Sequence, residues 1–306
     1  MQIKICIKQK YQERTESFML KTITLLFLLL SSLYAQEQTK RFNVAYMADS
    51  MTNYSKKDLK IAMNVWLQEL AKKAGYTSQM FFYDDPKKIV ADLKAGKIDY
   101  ISAFPLVYVK YFDLNLLSDG FSGGLQNRED NLFVVLVRND SKIRSWDDIR
   151  KIDPRVGIQK HDEIMHLYSK YKTKNIDLPI EDYSKRSRAI LDLFFNKLDV
   201  VIVPHISFIL ATELNPQLAK KIKILEVTKI NATNLGFLRR SLDEKIKHDV
   251  YLQAERIYAT PKGRQMMMIY KADKLIRTKL SDLKPVEEFY KKYQNFERAG
   301  KSVEDN

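Results

Sequence analysis

The feature that most constrains this chain is an alternation of apolar, strand-like segments with helical segments. Predicted strands lie at 42–46, 80–83 and 98–103, and predicted helices lie at 55–75, from Pro86 to Gly96, and from Pro105 onward. Asp85 directly precedes Pro86 and is the predicted N-cap of its helix. Strands and helices in this order predict a parallel sheet with helices on its faces.

The same alternation then begins again, which predicts a second α/β lobe. The later predicted strands are 133–137, 155–158, 200–203, 222–227 and 235–238, and the later helices are 162–172, 187–197, 205–213, 242–258, 261–270 and 285–293, with one more starting at Ser145. No segment rich in Gly, Pro or Ser separates the lobes. We therefore expect short polar crossings near 138–140 and 228–232 to act as a hinge.

Composition fits a globular protein of two domains that binds no nucleic acid. The chain has 306 residues, of which 45% are hydrophobic. Its 52 Lys and Arg exceed its 38 Asp and Glu, but they are scattered, whereas nucleic-acid-binding proteins cluster their basic residues. The excess predicts a basic surface that attracts anions. The single cysteine, Cys6, lies in the N-terminal segment, so no disulfide or catalytic thiol is expected in the remainder.

The N-terminal segment has the pattern of an export signal. Lys21 precedes a short apolar run, Ile23 to Leu30, which small residues follow up to Ala35. The run is shorter than the roughly 20 apolar residues that a spanning helix needs, although a membrane anchor remains the alternative. We expect cleavage near Ala35 and a periplasmic mature protein. Residues 1–18 are an unusual preceding extension, and Met19 is an alternative start.

Four segments together resemble a known family. They are LKAGKIDYISAFPLVYV at 93–109, LFVVLVRNDSKIRSWDDIR at 132–150, FFNKLDVVIVPH at 194–205, and the pair NLGFLRRSLDEKIK at 234–247 and TPKGRQMMMIYKAD at 260–273. Their order and spacing resemble the phosphate/phosphite/phosphonate-binding family of ABC-transporter substrate-binding proteins. The resemblance implies a type 2 periplasmic-binding fold, in which two Rossmann-like α/β lobes enclose a ligand cleft. It implies lobe one at 36–138 and 230–306, lobe two at 139–229, and an N-terminal extension with signal peptide at 1–35.

In lobe one, the candidate ligand contacts are polar and aromatic residues that follow predicted strands. Ligands of open α/β sheets lie beyond the carboxyl ends of the strands, where helix N-termini present N–H groups to anions. Tyr46 follows the first strand, and Ser102, Phe104 and Tyr108 follow the third. The hydroxyls of these Tyr and Ser residues would donate to an oxyanion, and Phe104 would form part of the cleft wall. The alternative for both tyrosines is a place in the core.

In lobe two, the first candidates are Lys160 and His161, which follow the strand at 155–158. The resemblance implies a turn rich in Ser and Thr at this point, and the sequence Gln-Lys-His-Asp departs from that pattern. The departure leaves open another anion or a zwitterion as the ligand. Asp162 is interpreted as an ordinary helix N-cap.

Arg186, Arg188 and His205 are the remaining candidates. A guanidinium matches an oxyanion with two hydrogen bonds, and the resemblance places a cleft residue near Arg186. Solvated helix charges are the alternative for both arginines. His205 follows the strand at 200–203 and has two open interpretations, a ligand contact or a helix cap.

The sequence contains no catalytic, P-loop or metal-ligand motif, so we expect no cofactor, no metal and no enzyme activity. The expected function is a monomeric periplasmic substrate-binding protein that holds a small solute, an oxyanion such as phosphate, phosphite or a phosphonate, and passes it to an ABC-transporter permease. Two alternatives stay open: a partner of a membrane sensor kinase, and an enzyme on the same fold.

Overall fold

A computed structural model describes residues 40–47, 56–124, 131–174, 176, 178–261, 263–264, 267, 272 and 274–304. The elements lie in the compact unit Arg41–Asn306, apart from Lys40 at the start of the first strand. The predicted export signal at 21–35 lies outside the described residues, as does most of the helix predicted at 261–270. Within the described part of the chain, no helix is both long enough and apolar enough to cross a membrane.

Strands and helices follow the predicted alternation. The strands are β1 (Lys40–Arg41), β2 (Val44–Met47), β3 (Tyr76–Thr77), β4 (Met80–Tyr83), β5 (Tyr100–Ala103), β6 (Leu117–Ser118), β7 (Gly120–Gly124), β8 (Leu132–Arg138), β9 (Val156–Gln159), β10 (Ile180–Tyr183), β11 (Val200–Pro204), β12 (Ile222–Asn231), β13 (Leu235–Arg239) and β14 (Lys274–Thr278). The helices are α1 (Lys56–Lys73), α2 (Pro86–Lys94), α3 (Pro105–Tyr111), α4 (Trp146–Lys151), α5 (Glu163–Lys172), α6 (Arg186–Phe194), α7 (His205–Leu214), α8 (Pro216–Lys221), α9 (Glu244–Tyr258) and α10 (Lys284–Glu304), with 3-10 turns at Leu114–Leu116 and Leu280–Leu283.

Each lobe is built on a five-stranded sheet. The order is β4-β2-β5-β13-β6 in lobe one and β10-β9-β11-β8-β12 in lobe two. In each sheet the first three strands are parallel, and the strands that return from the other lobe pair antiparallel with them. The predicted N-cap at Asp85 is confirmed, since its carboxylate accepts a hydrogen bond from the backbone N–H of Lys87 at 2.9 Å.

Sheet membership differs from the expected lobe boundaries. β8 was expected to end lobe one at residue 138, yet it pairs with β11 and β12 in the second sheet. β12 stays in that sheet through Asn231. The first crossing therefore precedes Leu132 and the second lies at 232–234. The sequence predicted no strand between 118 and 131, but this segment contains β7, which pairs with β14.

The C-terminal helix α10 packs on both lobes. Val286 and Phe289 lie in one buried cluster with Leu106 of α3 and with Phe133 and Val156 of the second sheet. On the lobe-two side, Phe289 makes an edge-on contact with Tyr171 of α5 at 5.8 Å between ring centroids. Burial of this apolar surface joins the lobes on one side of the molecule.

The two lobes repeat one β-α-β unit at an offset of one hundred residues. In the first copy, Tyr83 donates a hydrogen bond to Asp92 at 2.5 Å, and the carboxylate of Asp99 accepts from the backbone N–H of Asn43 at 2.9 Å. The second copy reproduces both bonds, from Tyr183 to Asp192 at 3.1 Å and from the backbone N–H of Arg155 to Asp199 at 3.0 Å.

Backbone conformation repeats as well. Gly96 and Asn196, which end α2 and α6 one hundred residues apart, have positive φ angles of 68° and 61°. Gly and Asn are the residues that enter this region most readily. The strand register makes Met47 and Gln159 equivalent, because each lies opposite the equivalent tyrosine, Tyr83 or Tyr183. The repeat lets each position in one lobe be compared with its counterpart in the other.

Candidate functional site

Each sheet has a point where its connections change direction. From β2 the chain passes through α1 to β4 on one side, and then through α2 to β5 on the other. From β9 it passes through α5 to β10 and then through α6 to β11. The two helices of each set pack on opposite faces of their sheet. Such a switch point leaves a crevice at the carboxyl ends of the strands, which is where α/β proteins bind ligands.

Three of the lobe-one candidates meet at the first switch point. Tyr46 and Ser102 are register partners on β2 and β5, and Phe104 directly precedes α3. The half-buried Tyr46 ring stacks on Phe82 with 6.1 Å between centroids. Ser102 is buried against Gly236 of β13. The three side chains therefore share one edge of the sheet.

Tyr108 lies in the core. Its side chain is fully buried, and its hydroxyl is 2.9 Å from the carbonyl oxygens of both Ile101 and Leu235. The ring packs edge-on against Phe237 at 4.9 Å. Burial raises the pKa of the Tyr108 phenol. Since a phenol has one hydrogen and two acceptors surround it, the structure favours the core interpretation of Tyr108 over the ligand contact.

Arg186 is engaged by Asp162. The Nε and Nη2 atoms of Arg186 donate to the two carboxylate oxygens of Asp162 at 2.9 and 2.6 Å. The two side chains are 12% and 3% exposed, so the pair is buried. Asp162 was expected to cap α5 with its side chain, but it makes no such bond among the described residues and binds the arginine instead. The pair joins the start of α5 to the start of α6.

The other lobe-two candidates lie at the same edge with different exposure. Lys160 and His161 are exposed in the turn between β9 and α5. Arg188 is 60% exposed and pairs with Asp192 one turn along α6, at 3.1 Å. His205 is the half-buried first residue of α7. Of the two arginines, only Arg188 has the solvated position that the alternative interpretation described.

Three helices of lobe two begin at this edge without a side-chain cap. For α5, α6 and α7, the described residues provide no N-cap side chain that accepts a backbone hydrogen bond. Helices that start elsewhere in lobe two have one: Ser145 caps α4 and Asn215 caps α8. The first N–H groups of a helix have no partner within it and carry a partial positive charge. An anion at the carboxyl edge of β9, β10 and β11 would meet the positive end of these helices.

One functional candidate at this edge was missed from the sequence. Gln159 ends β9 beside Lys160 and is 1% exposed. Its amide nitrogen donates to the carbonyl of Ser184 at 3.0 Å. The one-hundred-residue repeat does not align this position, because the equivalent residue in lobe one, the apolar Met47, lies 112 positions earlier.

An ion pair also spans the two lobes. The ammonium of Lys110, in the last turn of α3, lies 2.6 Å from the carboxylate of Glu163, the first residue of α5. Burial would lower the pKa of Lys110, but the hydrogen bond and charge of Glu163 outweigh that effect and raise the pKa. The pair brings α3 of lobe one to the start of α5 in lobe two.

A family model and the solved structures both relate this chain to binding proteins of ABC transporters. A family model described as the phosphonate periplasmic substrate-binding protein of ABC transporters matches residues 50–283. Among solved structures, a binding component of an ABC phosphonate transporter from Pseudomonas aeruginosa is 15% identical, with a TM-score of 0.59 over 86% of this chain and 89% of that chain. PhnD1 from Prochlorococcus marinus in complex with methylphosphonate is 12% identical, with a TM-score of 0.58 over 84% and 99%.

A third structure, XAC2383 from Xanthomonas citri bound to ATP, is 10% identical, with a TM-score of 0.60 over 85% of this chain and 98% of that chain. At these identities the structures establish the fold, and the family model establishes the relationship. No curated protein sequence matches the chain significantly.

Proposed function

Because the chain belongs to the family of phosphonate periplasmic substrate-binding proteins of ABC transporters, we propose that it holds a small oxyanion at the facing switch points of its two lobes and releases it to the permease. The candidates are phosphate, phosphite and phosphonates. The ligand bridges the lobes, and closure about the two crossings buries it. No bond is made or broken, so the protein acts without a catalytic group.

The observation that carries this proposal is the set of three uncapped helix starts in lobe two. The first turns of α5, α6 and α7 begin beside one another, after the parallel strands β9, β10 and β11. An oxyanion there would receive backbone hydrogen bonds and the favourable end of three helix dipoles. The buried Asp162–Arg186 pair supports this geometry by joining two of the helices.

Side chains from both lobes complete the proposed site. Tyr46, Ser102 and Phe104 form the lobe-one wall, and Lys160, His161 and His205 lie at the helix starts of lobe two. Arg186 has a scaffold role, because two nitrogens of its guanidinium group already donate to Asp162. Arg188 adds positive charge near the rim.

The proposal includes export and assembly. Residues 19–35 direct the chain to the periplasm and are removed near Ala35, and the mature protein works as a monomer whose crossings between the lobes lie before Leu132 and at 232–234. The basic excess of the chain, 52 Lys and Arg against 38 Asp and Glu, favours capture of an anion. Fractionation with N-terminal sequencing of the mature protein tests this part.

A melting experiment tests the ligand class. The mature protein is heated alone and with phosphate, phosphite, methylphosphonate or sulfate. At one hundred times the dissociation constant, a ligand stabilises the fold by about 2.7 kcal/mol. For a domain pair of this size, that corresponds to a rise of roughly 5–10 °C in melting temperature. At least one phosphorus oxyanion is expected to produce this shift, and an unchanged melting temperature with all of them would contradict the proposal.

A further inference from the structure

We infer that Gln159 is a specificity residue, whose side-chain oxygen selects an oxyanion that also carries an N–H or O–H donor. The inference rests on the proposed function, because it concerns the lobe-two half of the same cleft. It starts from a buried polar atom. Among the described residues, no donor reaches the Oε1 atom of Gln159, although the residue is only 1% exposed.

The orientation of the amide is fixed by its neighbour. The Nε2 atom donates to the carbonyl oxygen of Ser184 at 3.0 Å, and a carbonyl accepts only, so the nitrogen must face Ser184. The other end of the amide is therefore an oxygen acceptor. A buried acceptor without a donor destabilises the fold, so its retention points to a donor that is supplied at some stage of the protein's function.

The side chain lies at the switch point of lobe two. Gln159 is the last residue of β9, the strand between β10 and β11. Residues two apart in a strand point to the same face, and a side chain at Gly157 would meet Leu198, Tyr183 and Val201 on the face covered by α6 and α7. Gln159 thus points toward the uncapped starts of these two helices. Those starts favour an anion, and the amide oxygen favours a donor.

Comparison of the lobes shows that packing alone does not require an amide here. Met47, the equivalent of Gln159 in lobe one, is buried with 5% exposure in an apolar cluster. Glutamine and methionine have similar length and volume, so either side chain fits such a position. Arg186, at the start of α6, donates to Asp162 and not to Oε1. A ligand with an ammonium or hydroxyl group near its anionic group fits this environment, because the anionic group suits the helix starts and the donor suits the amide oxygen.

Two matched ligands test the inference. 2-Aminoethylphosphonate and propylphosphonate have nearly the same size, but only the first ends in an N–H donor. Isothermal titration with the wild-type protein is expected to show at least tenfold tighter binding of the aminoethyl compound. In Gln159→Met, which copies lobe one, this advantage is expected to disappear, so that the dissociation constants of the two compounds become equal. Gln159→Glu retains an acceptor, and the advantage is expected to persist.

The outcomes separate the inference from the proposed function. If the wild type binds both phosphonates equally, or if Gln159→Met retains the advantage, Gln159 is not a specificity residue and the proposed function stands. If neither compound nor any other phosphorus oxyanion binds the wild type, the proposed function fails and the inference fails with it. Melting curves confirm that both variants fold. Equal weakening of both ligands in Gln159→Met would show a purely structural role and would also overturn the inference.

Discussion

Two arginines on one helix provide a sharp test of how lobe two is held together. Arg186 and Arg188 lie two residues apart at the start of α6, and each pairs with one carboxylate. Arg186 and Asp162 are 12% and 3% exposed and share two hydrogen bonds, whereas Arg188 is 60% exposed and shares one with Asp192. Replacing each arginine by methionine removes one charge from the same helix in very different surroundings.

The expected losses of stability differ severalfold. Arg186→Met leaves the buried Asp162 carboxylate without its cation, which costs about 3–5 kcal/mol in comparable pairs. The partial positive charge at the start of α5 offsets part of this loss, so we expect about 3 kcal/mol. Arg188→Met removes a bond from a largely exposed arginine, and ion pairs with a solvated partner contribute between about 0 and 1 kcal/mol. Asp192 also keeps its hydrogen bond from Tyr183.

Thermal denaturation of the ligand-free protein, followed by circular dichroism, measures the difference. A loss of about 3 kcal/mol lowers the melting temperature by roughly 6–12 °C, and Arg188→Met should change it by no more than about 4 °C. The double variant Asp162→Leu with Arg186→Met removes both charges and should recover most of the loss. Equal melting temperatures for the two single variants would refute the scaffold role of Arg186.

Two further predictions concern a carboxylate network and the backbone repeat. Burial would raise the pKa of Glu226, but hydrogen bonds from Trp146, Lys172 and Tyr168 outweigh it and lower the pKa. The ionised form therefore stabilises the fold above the pKa of the unfolded chain, and this contribution disappears as the pH falls from about 5 to about 3. Urea midpoints of wild type and Glu226→Gln should accordingly converge over that range, and a constant difference would contradict the network. Gly96→Ala should lower the free energy of unfolding by about 1 kcal/mol, because φ is 68° at this position and the added methyl would make little contact. Gly96→Asn should lower it clearly less, since Asn196 adopts the same conformation in lobe two. Equal losses of stability in both variants would argue against a backbone cause.

Local sequence signals correctly predicted the strands and helices whose starts and ends they mark. The strand at 80–83, the cap at Asp85 and the stop at Gly96 are all present, because apolar runs, capping carboxylates and positive-φ residues act within a few positions. β7 and β10 were missed because the local strand signal in each of them is weak. Glycine weakens the strand signal in β7, and β10 is an edge strand with the charged pair Glu181–Asp182 at its centre.

Long-range pairing accounts for the other differences. The apolar residues of 132–138 predict a strand but do not determine which sheet it joins. Its pairing with β11 and β12 places it in lobe two. Arg186 was recognised as a residue of the cleft edge, but its bond to Asp162 joins residues 24 positions apart and leaves no local signature. Tyr108 likewise had two interpretations until Leu235, a residue of the returning strand, was placed beside its hydroxyl.

Small-angle X-ray scattering measures whether the two lobes close on a bound oxyanion. The mature protein is measured alone and with saturating methylphosphonate, or with the phosphorus oxyanion that raises its melting temperature most. If the lobes close, the radius of gyration is smaller with the oxyanion than without it, at unchanged molecular mass. An unchanged radius of gyration in a sample that calorimetry shows to be saturated would contradict closure of the lobes.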